Sequence, residues 1–356
     1  MNRPKAGQLI TDLETKDNKQ ARQIAEIIQR VRPDMLLLNE FDFDASNRAA
    51  DLFQRHYLAV GQDNQQPITF DHRFLATVNT GLPSGHDLDN DGETNGPGDA
   101  FGFGGFPGQY GMLVLSKFPI DSENVRTFQT FLWRDMPGAL LPETNGKSYY
   151  VDNEIAILRL SSKSHWDLPI RIGDRTIHFL CAHPTPPVFD GPEDRNGRRN
   201  HDEIRFWADY IDPTRSDYIH DDRGRRGGLA AGSSFIIAGD MNADPFDGDS
   251  RDRAIQQLLS HALIQNVRAP TSRGAREKSV RDSGANDNHK GPADQDTSDF
   301  NDRSVGNLRL DYVLPGTSLK TSALGVLWPA QAEDGHDSAD ASDHRLVWLD
   351  IALPSK

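Results

Sequence analysis

The sequence has a single cysteine, Cys181, among its 356 residues. One cysteine cannot form an intrachain disulfide, so packing and perhaps bound ions must hold the fold together. The chain also lacks the roughly eighteen consecutive apolar residues that a membrane-spanning helix needs. Its start, MNRPKAGQ, lacks the apolar segment of a signal peptide. We therefore expect the chain as given to be soluble, while its native compartment stays unknown.

Positive charge is scarce, because 39 Lys and Arg residues stand against 53 Asp and Glu residues and leave a net charge of -14. Such a charge repels polyanions, whereas proteins that grip nucleic acid through many phosphates usually carry a basic stripe. The composition therefore disfavours a long duplex as a partner. A local cluster such as Arg195, Arg198 and Arg199 can still serve a single phosphate group.

Apolar periodicity predicts alternating helices and strands. Ile24, Ile27, Ile28 and Val31 follow helical spacing, and Pro33 ends that helix. Further helical spacing occurs around residues 204–211 and 254–259. Short apolar runs bounded by turn or charged residues predict strands. These runs cover residues 35–38, 112–115, 155–160, 176–182, 235–238, 309–314 and 346–351.

Two segments have the composition of long surface insertions. Residues 72–109 are dense in Gly and Asp, and residues 271–307 are polar with few apolar side chains. Both are candidates for lids or mobile loops. No internal repeat is present, and the chemically suggestive residues run from Asn39 to His344, so we expect one domain over residues 1–356.

The strongest chemical motif is FIIAGDMNADP, residues 235–245, in which an apolar strand runs into Asp240 and Asn242. The two side chains alternate with Met241, so an extended backbone points both in the same direction. Asp240 can then accept a proton while Asn242 orients water or phosphate. The alternative is an Asx turn that caps the next element.

Four other polar residues also border or interrupt apolar strands. Asp343 and His344 precede the last one, and Asp311 lies inside the run RLDYVLP, where a carboxylate is costly unless it is paired. We expect Asp311 to orient His344. His183 ends the run FLCAH before a proline-rich stretch and is expected at the sheet rim. A surface Asp-His pair and a satisfied buried histidine are the alternatives.

Taken together, these motifs resemble the endonuclease/exonuclease/phosphatase superfamily. The matching elements occur in order along nearly the whole chain: Asn39-Glu40 after an apolar strand, GMLVLSKFPI, His183, GDMNADP, LDYVLP and SDH. The resemblance implies an α/β (α+β) fold, a four-layered α/β/β/α sandwich with two packed mixed β-sheets. It also implies a metal-dependent phosphoester hydrolase in which water attacks phosphorus in line.

The resemblance assigns roles residue by residue. Glu40 with Asn39 would bind Mg²⁺ or Mn²⁺, and Asp343 would ligate a second metal or support the first. Asp240 would position or deprotonate water, with Asn242 stabilising the pentacovalent phosphorus centre. His344, backed by Asp311, would donate to a phosphoryl oxygen, and His183 would do the same from the other side.

The chain departs from this family at its start. Members usually begin with a strand ending in a metal-site Asn, and no such strand precedes the helix predicted after Asn18. The first strand therefore looks missing, the N-terminus looks truncated, and a longer natural chain with an export signal stays open. Asn2 is a poor substitute because no strand precedes it. Gln109 and Tyr110 are candidates for the tyrosine or acidic position of some members.

Three secondary signals complete the prediction. Asp87, Asp89 and Asp91, followed by Gly92, begin like a calcium loop, although Gly98 stands where a Glu would complete it. A solvated acidic turn is the alternative. Two further sets are candidates for the substrate cleft, with a basic surface turn and edge-strand decoration as their alternatives: Arg199, Asn200 and His201, and Lys163, His165 and Trp166.

The sequence thus predicts a phosphodiesterase or phosphatase, most simply monomeric, that acts on a small or lipid-derived phosphoester. A nuclease is the alternative among enzymes. A calcium-stabilised binding protein that keeps the fold without turnover is the alternative of another class.

Overall fold

Short helices and strands alternate along the chain in a computed structural model that describes residues 1–352. Helix α2 shows why the boundaries fall where they do: the Asn18 side chain accepts a hydrogen bond from the backbone N–H of Ala21, and Arg32 ends the helix in the left-handed region just before Pro33. This helix was predicted from its apolar spacing and is confirmed. The α-helices are α1 (Gln8–Glu14), α2 (Lys19–Val31), α3 (Arg48–Phe53), α4 (Asp152–Ile155), α5 (Arg195–Tyr210), α6 (Gln256–Leu259), α7 (Arg273–Asp282) and α8 (His336–Ala339).

A five-stranded mixed sheet forms the centre of the molecule, in the order β12-β9-β8-β7-β4. Strands β8 and β9 are parallel, and the other neighbours in this sheet are antiparallel. The parallel pair matters because its two carboxyl ends meet at one edge. The strands of this sheet are β4 (Arg126–Thr127), β7 (His165–Ile172), β8 (Arg175–Ala182), β9 (Ser234–Asp240) and β12 (Asp311–Pro315).

A second layer of strands packs against this sheet. It consists of the antiparallel set β1-β3-β2 and the antiparallel pair β13–β14. Between β1 and β14 lies a cavity of about 490 Å³, lined by both strands and by the central sheet. These strands are β1 (Met35–Asn39), β2 (His72–Phe74), β3 (Met112–Ser116), β13 (Thr321–Leu327) and β14 (Leu346–Ile351).

Two short antiparallel hairpins lie outside the two strand layers. They comprise β5 (Glu143–Thr144) with β6 (Lys147–Ser148), and β10 (Ser298–Asp299) with β11 (Asn307–Leu308).

Three apolar clusters define four layers. Met112 and Val114 of β3 pack against Leu168 and Phe179 of the central sheet, so the two strand layers share a core. A second cluster joins the outer face of β1 and β3 to helices α1–α3, and a third joins the central sheet to α5 and α6. The predicted α/β/β/α sandwich is therefore confirmed. The prediction of two mixed sheets holds for the central sheet only, because the second layer is antiparallel and divided into two sheets.

One predicted strand is wrong. Residues 155–160 form the end of α4 and an irregular segment, and the strand lies later, in β7. Helix α4 forms because the Glu154 carboxylate accepts a hydrogen bond from the backbone N–H of Val151. Leu158 and Leu160 are buried in the core without being part of a sheet, so their apolar character reflected burial rather than strand geometry.

The two segments predicted as insertions differ in structure. Residues 72–109 contain β2 followed mainly by bends and turns, whereas residues 271–307 contain α7, β10 and β11. Within residues 1–352, no helix is both long and apolar enough to cross a membrane.

Candidate active site

The polar residues at the strand termini meet at one edge of the two-layer structure. Strand β9 ends at Asp240, directly opposite Asp311 at the start of β12, and the parallel strand β8 ends just before His183. On the second layer, β1 ends just before Glu40, and His344 stands shortly before β14. Residues separated by as many as 304 positions therefore share one cleft, whose lining includes Glu40, Asp240, Asp311 and His344.

Gly239 fixes the distance between the ends of β8 and β9. A Cβ atom at this position would lie 1.9 Å from the carbonyl oxygen of Ala182. Only glycine permits that approach without moving the backbone. The glycine of the GDMN motif thus sets His183 and Asp240 side by side.

Asp311 and His344 form the central pair of the site. The Oδ2 of Asp311 lies 2.9 Å from the Nδ1 of His344, and the Nε2 of the same ring lies 3.6 Å from the Oδ2 of Asp240. The predicted orientation of His344 by Asp311 agrees with these contacts. Ligand atoms of all three residues lie within 4.8 Å of one another.

Burial and charge determine the protonation of this group. Burial raises the pKa of Asp240 to about 7, although the positive His344 opposes that effect. Burial alone would lower the pKa of His344, yet the carboxylates of Asp311 and Asp240 together raise it to about 10. At neutral pH His344 is therefore an imidazolium that can donate from Nε2, and the raised pKa makes Asp240 a stronger base than an ordinary aspartate.

His183 contributes a second imidazole of opposite character. Its Nε2 lies 3.4 Å from the Oδ2 of Asp240, and its buried Nδ1 has no hydrogen-bond partner among residues 1–352. Burial, with the nearby positive charges of Lys163 and His344, holds the pKa of His183 well below its usual range. His183 is thus neutral beside a charged His344.

Asn242 is held in place by the backbone. Its N–H donates to the Oδ1 of Asp240 at 2.8 Å, and its side-chain amide donates to the carbonyl oxygen of Pro184 at 3.1 Å. Its φ of 49° lies in the left-handed region that Asn tolerates better than most residues. The predicted alternation of Asp240 and Asn242 is therefore replaced by a turn in which the backbone of Asn242 holds the Asp240 carboxylate.

Thr297 and Phe300 are site residues that the sequence did not reveal. The Thr297 hydroxyl donates to the Oδ2 of Asp311 at 2.8 Å and accepts from the backbone N–H groups of Leu310 and Asp311. The ring of Phe300 stands edge-on to His344 with 5.5 Å between centroids. Part of the polar 271–307 segment therefore supports the site directly.

Glu40 forms the other side of the cleft. It adopts a left-handed φ of 57°, and its Oε2 accepts a hydrogen bond from the side-chain amide of Asn2 at 2.8 Å. Sequence reasoning dismissed Asn2 because no strand precedes it. Asn2 nevertheless reaches Glu40, because the neighbouring Arg3 donates its backbone N–H to Asp42 and its guanidinium to Asp12.

Asp42 is a second residue that sequence reasoning missed. It is buried and accepts hydrogen bonds from the backbone N–H groups of Arg3 and Tyr110. Burial raises its pKa to about 6. Burial raises the pKa of Tyr110, and the negative charges of the nearby Glu40 and Asp42 raise it further. Gln109 instead ties Gly105 to Arg3 through its side-chain amide.

The oxygen atoms on this side suit a hard divalent cation. The buried Oδ1 of Asn39 has no hydrogen-bond partner within the described part of the chain, and it stands next to Glu40 in sequence and in the lining of the cleft. Carboxylate and amide oxygens are the donors that Mg²⁺ and Mn²⁺ prefer. Glu40, Asn39 and Asn2 therefore fit such an ion, while Asp343 is exposed and holds Asp299 through its backbone carbonyl.

The predicted substrate residues of α5 have other contacts. Arg199 donates to the backbone carbonyls of Phe101, Arg159 and Leu160. Asn200 is fully buried and donates to the carbonyls of Thr185 and Met241, which links the loops that follow β8 and β9. His201 contacts Asp202. Asn200 thus supports the cleft from behind, and the other two lie outside the group around Asp240.

The Asp-rich loop forms a separate acidic cluster, with one change of membership. Asp87, Asp89 and Asp99 bring carboxylate oxygens within 4.8 Å of one another, whereas Asp91 caps the turn by accepting from the N–H of Glu93. Burial and the neighbouring carboxylates raise the pKa of Asp89. The calcium site stays a prediction. In the structure its third carboxylate comes from Asp99 instead of Asp91.

Three candidates remain, namely Lys163, His165 and Trp166. Of these, only Lys163 interacts electrostatically with residues of the cleft. His165 is fully buried between Ser161 and the carbonyl of Glu203, and Trp166 lies in the core between the sheets. Lys163 is buried, and the carboxylates that act on it include Glu203, Glu40 and Asp240.

The comparisons with known proteins identify the family of the chain. The model of the Endonuclease/Exonuclease/phosphatase family matches residues 12–344. The chain therefore belongs to that family. Its members are generally phosphoester hydrolases, commonly use Mg²⁺, and include phosphodiesterases, nucleases and sphingomyelinase-like enzymes. No curated protein sequence matched the chain.

Three solved structures are similar to this chain at low sequence identity, and the first of them supports the fold. An endonuclease/exonuclease/phosphatase from Beutenbergia cavernae is 18% identical with a TM-score of 0.51, and the match covers 94% of this chain and 66% of that one. A family protein from Leptotrichia buccalis is 14% identical with a TM-score of 0.47, over 94% and 93% of the two chains. Truncated TDP2 from Caenorhabditis elegans is also 14% identical, with a TM-score of 0.42 over 98% and 92%.

Proposed function

We propose that this protein is a metal-dependent phosphoester hydrolase that acts on a small or lipid-derived phosphodiester or phosphomonoester. The observation that carries the proposal is the His344 imidazole, hydrogen-bonded to Asp311 and 3.6 Å from Asp240, across the cleft from Glu40. A charged donor, a carboxylate base and a set of oxygen ligands are what hydrolysis of a phosphoester needs.

Glu40, Asn39 and Asn2 would hold a Mg²⁺ or Mn²⁺ ion, with Asp343 at the margin. When bound, the ion would polarise the phosphoryl group and neutralise charge that develops on it. The left-handed φ of Glu40 and its hydrogen bond from Asn2 fix the carboxylate on the cleft side of β1.

Asp240 accepts the proton of the attacking water in this proposal. Its Oδ1 is held by the backbone of Asn242, and its Oδ2 faces both imidazoles, so the carboxylate has one orientation. Because burial raises its pKa to about 7, it is a stronger base than an ordinary Asp while still ionised in part at neutral pH.

The two imidazoles bind the phosphoryl oxygens. His344 donates from Nε2 as an imidazolium, with Asp311 and Thr297 fixing the ring. Neutral His183 donates a hydrogen bond without adding a second charge. Asn242 faces the same oxygens from the turn after β9 and would stabilise the pentacovalent centre.

Surface charge supports a small substrate. The net charge of -14 opposes approach of a long polyanion. The guanidinium of Arg199 donates to three backbone carbonyls and is therefore not free to bind substrate. A single phosphoryl group can still bind, because His344 and the metal ion would offer it positive charge inside the cleft.

The test is a substrate panel with the purified 356-residue chain in Mg²⁺, Mn²⁺, Ca²⁺ or EDTA. We expect Mg²⁺- or Mn²⁺-dependent turnover of bis(p-nitrophenyl) phosphate, p-nitrophenyl phosphate or a phospholipid headgroup analogue. Rapid cutting of plasmid or oligonucleotide with little turnover of these compounds would favour a nuclease instead. No turnover with any metal or substrate would favour a binding protein that keeps the fold.

A further inference from the structure

Lys163 is a buried cation with no hydrogen bond or ion pair to its side chain among residues 1–352. Only 5% of the residue is exposed. Its backbone is well held, since its carbonyl accepts from the N–H of Asn79 at 2.9 Å. An ammonium group withdrawn from water without a partner is costly, so its presence calls for an explanation.

The position of Lys163 places it beside the catalytic imidazole. Strand β7 begins at His165, which pairs with Ala182 at the end of β8. Two residues earlier, the chain therefore runs alongside the segment that carries His183, and the Ser162 hydroxyl donates to the carbonyl of His183 at 3.4 Å. The charge of Lys163 acts on His183, and the charges of Glu40 and Asp240 act on Lys163.

The nearby carboxylates already have other partners. Both oxygens of Glu203 accept from backbone N–H groups, those of Ser162 at 2.7 Å and Thr185 at 2.6 Å. Asp240 is bound by Asn242 and faces the two imidazoles. Burial lowers the pKa of Lys163, which reflects the missing counter-ion. Among the described residues, the Nδ1 of His183 is a fully buried polar atom without a partner, whereas the Nζ of Lys163 is not fully buried.

We propose that Lys163 binds a non-bridging phosphoryl oxygen of the substrate and is a third donor beside His183 and His344. This inference rests on the proposed function. The phosphoryl oxygen is the counter-ion that the Lys163 ammonium lacks in the protein. Their attraction increases as negative charge develops on the phosphoryl group. Lys163 thereby gives the cleft a cationic donor that does not depend on a bound metal.

The experiment compares K163M, K163R and the wild type, with K117M as the matched control. Lys117 is a partly exposed lysine whose Nζ pairs with Asp34 at 2.9 Å outside the cleft. Turnover of bis(p-nitrophenyl) phosphate is measured against Mg²⁺ concentration. Binding of inorganic phosphate is measured by calorimetry with and without Mg²⁺, and Tm is measured without ligand.

Loss of one preorganised donor typically costs about 10²–10³ in turnover, and we expect K163M to lose that much with an unchanged Mg²⁺ requirement. Phosphate binding should weaken by about 10-fold or more, the usual cost of a charged hydrogen bond. The Tm of K163M should rise, because an unpaired buried charge has been removed. K163R should retain part of both functions, and K117M should match the wild type in turnover and phosphate binding.

A lower Tm for K163M with normal turnover and phosphate binding would overturn the inference and make Lys163 structural. If the wild type turns over no substrate, phosphate binding decides alone. Loss of phosphate binding in K163M would then support an anion site at Lys163 while the proposed hydrolase fails. Equal phosphate binding by K163M and the wild type would overturn the inference independently of turnover.

Discussion

The two sides of the cleft are built differently. The imidazole side, which comprises His183, Asp240, Asp311 and His344, consists of titratable groups that contact one another directly. The carboxylate side, which comprises Asn2, Asn39, Glu40 and Asp42, consists of oxygen acceptors held by amides, with one amide oxygen left without a partner. The titratable groups of the imidazole side can transfer protons. The oxygen atoms of the carboxylate side keep lone pairs that can bind a cation. Each side therefore predicts a different response to mutation.

The largest expected effect is that of D240N on the imidazole side. The amide keeps the size of the side chain but cannot accept the proton of water, and general-base help is worth about 10²–10⁴-fold. We expect kcat for a generic phosphodiester to fall by that much while the Mg²⁺ concentration for half-maximal rate stays the same. Wild-type kcat in D240N would remove Asp240 from the reaction.

E40Q should affect metal affinity instead. Losing only the hydrogen-bond partner of a metal ligand costs about 10–100-fold in metal affinity or activity, and losing the carboxylate itself should cost at least that much. Mg²⁺ titration of activity should therefore shift to higher concentration, with part of the rate recovered at high Mg²⁺. A lower kcat with an unchanged Mg²⁺ titration would place Glu40 with the imidazole side and break the comparison.

D311N should move the pH profile. In the wild type we expect the rate to rise as Asp240 ionises, through about pH 7 before any metal lowers that value, and to fall as His344 deprotonates near pH 10. Removing the Asp311 charge lowers the pKa of His344, so the alkaline limb should move to lower pH. The loss of an orienting partner should also lower kcat by about 10–100-fold. An unmoved alkaline limb would exclude His344 as the titrating donor.

Stability gives an independent check on the same pair. The folded-state pKa of His344 is raised to about 10 from an ordinary value near 6.5. Its contribution to stability is therefore fully present below about pH 6.5 and is lost as pH rises through about 10. Between these limits the Tm of the wild type should fall more steeply with pH than the Tm of D311N, measured without metal by differential scanning fluorimetry.

The smallest expected effect is that of H201Q. His201 contacts Asp202 and lies outside both sides of the cleft. Substitutions away from special features usually change free energies by about 0.5 kcal/mol or less, so kcat/KM should stay within about twofold. A large rise in KM would instead restore His201 to the substrate-binding role that its sequence position suggested.

Sequence patterns predicted the imidazole side better than the carboxylate side for a physical reason. Asp240, Asp311 and His344 each border an apolar strand, and strand ends impose where polar groups emerge. Asn2 and Asp42 lie in irregular segments fixed by hydrogen bonds between residues about forty positions apart. No local periodicity encodes such contacts.

Thr297 illustrates the same limit within a predicted insertion. It lies in a polar segment whose composition suggested a lid, yet its hydroxyl bonds Asp311 because the short strand β10 runs beside β11 and makes a bridge to His344. The strand predicted at residues 155–160 is wrong for a different reason. Leu158 and Leu160 are buried in the core although their segment is irregular, and a short apolar run of this kind has the same sequence pattern as a buried strand.

Crystals soaked with Mn²⁺ and inorganic phosphate test the convergence of the two sides most directly. The account predicts an anomalous Mn²⁺ peak bound by Glu40 with Asn39 or Asn2, and phosphate between that ion and the Nε2 of His344. An anomalous peak confined to the Asp87, Asp89 and Asp99 cluster, with no phosphate at His344, would contradict it.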